Sequence, residues 1–131
     1  MTHALTPAAA WKQMQDGNRR FVADAPQHPN QDVARRKHLA EAQHPVATLF
    51  GCSDSRLAAE IIFDLGLGDL FVVRNAGQVI GESIVASLEY AVAVLNVPLI
   101  VVLAHDSCGA VRAAIDGTAI DAAPLPPHIW K

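Results

Sequence analysis

The sequence is short of charge, of aromatic residues and of cysteine, and each shortage narrows what the chain can be. Only 18% of its 131 residues are charged and 5% are aromatic, against 51% hydrophobic overall. That balance excludes a chain kept unfolded by its own polarity. The formal net charge is −3, so there is no basic field to hold nucleic acid or an anionic membrane surface. The one basic run, Arg35-Arg36-Lys37, has the length of an ordinary solvated helix face. No basic stretch followed by an apolar one opens the chain, so no secretory signal is visible. The most apolar segment, Leu99 to Ala104, is far shorter than the ~20 residues that span a bilayer. A single soluble, cytoplasmic domain is expected over residues 1–131.

There are only two cysteines, Cys52 and Cys108. In a reducing compartment a structural disulfide between them is not expected. They are either inert core residues or reactive ligands, and their neighbours decide which.

Residues 1–45 read as a helical arm. Thr6 is a candidate N-cap and Pro7 fits a first helical position. Trp11, Met14 and Phe21 suggest an apolar face running to about Val22, after which Pro26 and Pro29 break the chain. A polar helix follows over Asp32 to Ala42. Residues 46–117 then alternate. Strands are expected at Val46 to Phe50, Leu70 to Val73 and Leu99 to Leu103, and helices at Ala58 to Leu65, Glu82 to Leu95 and Gly109 to Ile115. In the long helix, Ile84, Leu88, Val92 and Leu95 share one face. The third strand is nearly continuous in Leu, Ile and Val, the pattern of a parallel strand buried on both faces. The pattern predicts an α/β fold with a mostly parallel sheet flanked by helices; strand order 2-1-3 is expected, with the second strand on one side of the first and the third on the other. Residues 118–131, with Pro124-Leu125-Pro126-Pro127, read as a loop or tail. So small a sheet leaves apolar edges open to pairing, which predicts either an obligate oligomer or part of a longer chain.

The chemistry gathers just past the first and third strands, in Cys52-Ser53-Asp54-Ser55-Arg56 and His105-Asp106-Ser107-Cys108-Gly109. In open α/β sheets ligands bind beyond the carboxyl ends of strands where the strand order reverses. Order 2-1-3 puts these loops face to face there. Zinc takes sulfur and nitrogen donors, and three protein ligands leave one position for water. A carboxylate such as Asp54 can accept a hydrogen bond from that water, and Arg56 can hold the carboxylate by a bidentate pair. Two other readings compete on these residues alone: ordinary buried cysteines, and a cysteine nucleophile with a histidine base.

In these two motifs the chain resembles a β-class carbonic anhydrase. Arg74-Asn75-Ala76-Gly77 and Leu88-Glu89-Tyr90-Ala91-Val92 are similar to further family segments, and the likeness runs from about Trp11 to Ala114. The resemblance implies one zinc per chain on Cys52, His105 and Cys108, with Asp54 and Arg56 as catalytic dyad. It implies a substrate pocket containing Gln43, Phe71 and Tyr90, partly supplied across a subunit interface. It also implies reversible hydration of carbon dioxide to bicarbonate and a proton, in a homodimer or homotetramer. Members with a bicarbonate-controlled closed site resemble one another in a tryptophan where this chain has Leu49, so an open site with Asp54 off the metal is expected. Relatives usually continue further, which leaves activity conditional on assembly. A hydrolase of carbonyl sulfide or carbon disulfide on the same scaffold, and a shortened zinc-binding subunit without catalysis, remain as alternatives. No histidine stands out as a proton shuttle: His3, His28, His38, His44 and His128 read as surface residues.

Overall fold

The computed structural model describes residues 4–130; His3 and Lys131 lie outside the described residues. Helix α1 (Pro7–Val22) begins where expected, because the Thr6 hydroxyl accepts the Ala9 N–H at 3.1 Å and Pro7 fills the first turn. Helix α2 (Val33–Leu39) is capped by Asp32, whose carboxylate accepts the Arg35 N–H at 2.7 Å. Then come β1 (Ala47–Cys52), α3 (Ala59–Ile62), β2 (Leu70–Asn75), α4 (Glu82–Ala93), β3 (Ile100–Leu103), α5 (Gly109–Asp116) and α6 (Pro127–Trp130). The last is a short helix within the segment expected to be only loop. Helix α3 is a single turn, shorter than its apolar spacing suggests. Phe63 leaves the helical region at its C-cap and Asp64 turns the chain at a φ of 44°.

The sheet has three parallel strands in the order β2-β1-β3, the expected order. All six residues of β1 are buried. The register separates the two faces. Ala47, Leu49, Leu70 and Val72, with Val101 and Leu103, meet Met14, Ala59, Phe63 and Leu65 on one side. Phe50, Phe71 and Val73 meet Ile84 and Leu88 of α4 on the other. Burying a side chain such as Leu49 or Phe50 stabilises the fold by roughly 1.5–3 kcal/mol.

Three expectations fail at the margins of this core. Strand β3 is not buried on both faces: Ile100 is 41% and Val102 63% exposed, because α4 covers only the β1–β2 part of its side. On α1, Trp11 and Phe21 stay exposed, and the face that packs is Ala10, Met14 and Gly17. There the absence of a side chain matters, since a methyl group on Gly17 would lie 1.7 Å from the Phe63 carbonyl oxygen. On α4, Val92 faces outward and Ala91 is buried in its place.

Two buried carboxylates tie the arm to the sheet. Asp64 accepts the N–H groups of Gln27 and His28, each at 2.9 Å, and Arg20 Nε at 2.6 Å. Asp69 accepts Gly66 N–H at 2.7 Å, together with Asn30 Nδ2 and Arg35 Nη2. These bonds satisfy backbone donors that the loop would otherwise bury unpaired. Burial alone would push the Asp64 carboxyl up, but the three donors outweigh it and hold it at about 2, below the usual 3.8. A carboxyl lowered by folding adds stability above its unfolded value, and that stability is lost as pH falls through the folded value. Asp64→Asn should therefore cost roughly 3 kcal/mol at neutral pH, by leaving Arg20 without its partner. It should also reduce the loss of stability expected between about pH 4 and pH 2, checked by urea denaturation of variant and parent side by side.

Candidate metal centre

Parallel pairing puts the carboxyl ends of β1 and β3 side by side, with Gly51 registered against Leu103. Cys52 is the last residue of β1 and is buried. Beyond β3 the chain turns at Ser107, whose φ of 51° lies in the left-handed region. Cys108 becomes the N-cap of α5, so His105 and Cys108 return to one spot. Ligand atoms of Cys52, His105 and Cys108 all lie within 4.8 Å of one another, and the two sulfurs are 3.9 Å apart. Two thiolates on a tetrahedral zinc, each at ~2.3 Å, would be roughly 3.8 Å apart.

The donor set fits such an ion on a second count. His105 Nε2 is buried and has no hydrogen-bond partner, a state that costs about 1–3 kcal/mol. A cation between the thiols supplies the missing partner. Two sulfurs and an imidazole suit zinc in preference to a hard cation, which would select oxygen.

The sulfur of Cys52 is prepared for this role by the backbone. It accepts the Gly77 N–H at 3.3 Å and the Asp54 N–H at 3.4 Å. With His105 and Cys108 also at hand, these donors bring the thiol from its ordinary 9.0 down to about 7. Asp54 and Arg56 form the expected pair. Asp54 Oδ1 accepts Arg56 N–H at 2.9 Å and Nε at 3.0 Å, and Oδ2 accepts Nη2 at 2.9 Å. The guanidinium holds the Asp54 carboxyl far below the usual carboxylate range. Arg56 Nη2 also donates to the Ser107 carbonyl at 3.2 Å and lies 3.4 Å from His105 Nδ1. With the Arg56 side chain 55% exposed, this pair adds little to stability. Its effect is orientation, because one residue ties the β1 loop to the β3 loop.

Two contributors carried no role in the sequence reading. Arg74 of β2 donates through Nε to the Cys52 carbonyl at 2.9 Å and through Nη2 to the Asp54 carbonyl at 2.7 Å. Gly77 adopts a φ of 79° beyond the end of β2, which aims its N–H at Cys52. Both belong to the Arg74-Asn75-Ala76-Gly77 segment, and a glycine three residues past an arginine at a strand end is the signal that marks them.

The residues expected in a substrate pocket are placed apart from the metal ligands. Phe71 packs against Tyr90, ring centroids 6.0 Å apart and tilted by 39°. Tyr90 is 45% exposed. Gln43 is exposed and lines with Tyr90 a cleft of about 450 Å³ bordered by Leu39, His44, Val94 and Asn96. None of the metal-centre residues lines that cleft. His28, His38, His44 and His128 are exposed, as their positions predict.

Comparison with known proteins agrees with this geometry. The family described as "Carbonic anhydrase" matches residues 47–129. Carbonic anhydrase 2 of Mycobacterium tuberculosis is 65% identical over 116 residues, which is 86% of this chain and 56% of that protein. A solved β-carbonic anhydrase of Aspergillus fumigatus superposes with a TM-score of 0.62 at 34% identity, over 85% of this chain and 53% of that one. A structure from Sordaria macrospora, described as a tetrameric β-carbonic anhydrase, gives a TM-score of 0.62 at 30% identity, over 91% of this chain and 57% of its own. The chain thus spans a little over half the length of the relatives it matches. With the family matched from β1 to α6 and the two solved relatives sharing this fold, the chain belongs to the β class of the carbonic anhydrase family.

Proposed function

We propose that the protein binds one zinc ion per chain through Cys52, His105 and Cys108 and catalyses the reversible hydration of carbon dioxide to bicarbonate and a proton, as a carbonate dehydratase. The observation that carries this reading is the convergence of three soft donors, one of them an imidazole nitrogen without a partner, beside a carboxylate already pinned by an arginine. The ion's contribution when bound is Lewis acidity that brings the pKa of a water toward neutrality, the behaviour for which carbonic anhydrases are the standard example.

The chain's own groups do the rest. Asp54, held ionised by Arg56, can only accept hydrogen bonds. It takes one from the attacking water and so fixes the direction of the oxygen lone pair that meets the carbon. Arg56 occupies both carboxylate oxygens of Asp54 and would so hold it away from an ion bound by Cys52, His105 and Cys108. Both arrangements are positioning effects, acting before the bond forms.

Gln43, Phe71 and Tyr90 are assigned to the substrate pocket. The cleft holding Gln43 and Tyr90 is separate from the metal centre of its own chain, which supports an assembly in which a second copy completes the site. A homodimer or homotetramer meets that need, and the tetrameric relative is consistent with it. In this reading residues 1–45 are the arm, 46–117 the zinc-binding core and 118–131 the tail of one domain. The cytoplasm suits two thiol ligands that must stay reduced. No helix among the described residues is long and apolar enough to cross a membrane.

Elemental analysis beside a stopped-flow carbon dioxide hydration assay tests the reading. About one zinc per chain and zinc-dependent hydration are expected, whereas less than about half an equivalent would overturn it. Asp54→Asn should retain zinc and lose at least about 10²-fold in kcat, the scale of misplacing a reacting group. His105→Gln removes a metal donor. It should weaken zinc more than the roughly 10–100-fold typical of losing an outer hydrogen-bond partner, read by competition with a chromophoric chelator.

A further inference from the structure

Arg74 lies outside the ligand set and outside the dyad, yet it grips both. Its Nε and Nη2 form one edge of the guanidinium, and that edge meets the carbonyls of Cys52 and Asp54 at 2.9 and 2.7 Å. The peptide joining Cys52 to Ser53 is therefore held from both sides by β2. Its carbonyl accepts from Arg74, and its N–H donates to the Asn75 carbonyl at 2.8 Å. The Asp54 carbonyl accepts a second bond, from Leu57 N–H at 3.0 Å, which closes the turn that carries Arg56. With both carbonyls held, the Asp54 N–H faces the Cys52 sulfur and the Asp54 side chain faces Arg56.

We infer that Arg74 is a positioning residue for the metal centre, fixing through two backbone carbonyls the directions of the Cys52 thiolate and the Asp54 carboxylate. The inference rests on the metal-site reading above and adds to it a requirement on a residue that touches neither metal nor substrate. Arginine is specifically required, because only a planar fork presents two donors at fixed spacing. Lysine keeps the charge but offers a single rotating ammonium. The neighbouring Gly77 acts in the same direction: its N–H reaches the same sulfur at 3.3 Å, and a methyl group on it would lie 3.1 Å from Ala110 of α5. The end of β2 thereby references both ligand loops to one strand.

The test uses cobalt(II) in place of zinc, because thiolate-to-cobalt charge-transfer bands report the sulfur geometry without any need for turnover. Wild type, Arg74→Lys and Arg74→Met are titrated with cobalt well below their unfolding temperatures. Arg74→Lys keeps the charge, and alone decides the matter if Arg74→Met does not fold. Wild type should show intense thiolate–cobalt bands at one equivalent. The variants should still load one cobalt, but with shifted bands and an affinity roughly 10–100-fold weaker, as for loss of an outer-shell partner. Where turnover is measurable, kcat per bound zinc should fall at least tenfold with KM little changed. Variant spectra that superimpose on wild type, with affinity within twofold and only a lower Tm, would overturn the inference and leave Arg74 a purely structural residue. Absence of thiolate–cobalt bands in wild type would instead sink the metal-site reading itself, so the two failures are distinct.

Discussion

Everything at the metal centre depends on the parallel pairing of β1 with a neighbour on each side. A parallel ladder brings the carboxyl ends of its strands to one edge of the sheet. Because β1 is central, the loop after it faces both the loop after β2 and the loop after β3. Cys52 is therefore within hydrogen-bonding reach of Gly77 on one side and 3.9 Å from Cys108 on the other. With β1 at an edge beside β3, the Gly77 N–H would be a full strand away from Cys52; with β1 at an edge beside β2, His105 and Cys108 would not reach it. The full burial of β1 and the split of its side chains between two cores pin that register. A slip by one residue would exchange the faces on which Leu49 and Phe50 lie.

On this scaffold two arginines do complementary work. Arg56 reaches across, joining Asp54 to the Ser107 carbonyl and so tying together the loops that carry the ligands. Arg74 reaches back, tying the Cys52 loop to the strand beside it. Both use the guanidinium fork, one on a carboxylate and the other on two carbonyls, and in both the geometry matters more than the charge. The sulfurs are treated unequally as a consequence. Cys52 accepts two backbone N–H groups, which spread its negative charge and favour its thiolate, and it is the more buried of the two.

The parallel α/β pattern and the meeting of Cys52, His105 and Cys108 were legible in the sequence because they rest on local signals: apolar runs separated by helical spacing, and two short motifs placed just past strand ends. Asp54–Arg56 was equally legible, since residues two apart in a turn meet without help from the rest of the fold. What was not legible required knowledge of partners distant in sequence. Trp11 and Phe21 look like core residues on periodicity, but α1 meets the sheet through Ala10, Met14 and Gly17, where the Phe63 carbonyl admits no side chain. Leu, Ile and Val fill β3, yet its composition does not tell that α4 stops short of it and leaves Val102 exposed. The segment of Arg74 and Gly77 is marked in the sequence, but their role is not, because it exists only across the β1–β2 ladder. Asp64 and Asp69, acidic and buried, run against composition altogether; the donors of the arm, with Gly66 N–H, explain them.

The proposed metal binding and catalysis would also rest on different parts of the molecule. Every contact that orients Cys52, His105 and Cys108 is made within the chain, through pairing of β1 with β2 and β3 and through Arg56 and Arg74. The cleft of Gln43 and Tyr90 touches none of these residues. It opens beside the end of α4, on the margin where Val92 and Val94 are exposed. In the proposed reading a single chain carries the groups that would hold zinc, and the wall confining carbon dioxide would come from a second copy. The apolar residues left bare on α4 and β3 are consistent with that division. Covering them would bring further groups toward the sheet edge at which Cys52, His105 and Cys108 converge. Zinc content should consequently be insensitive to dilution, and hydration activity should fall as the assembly dissociates.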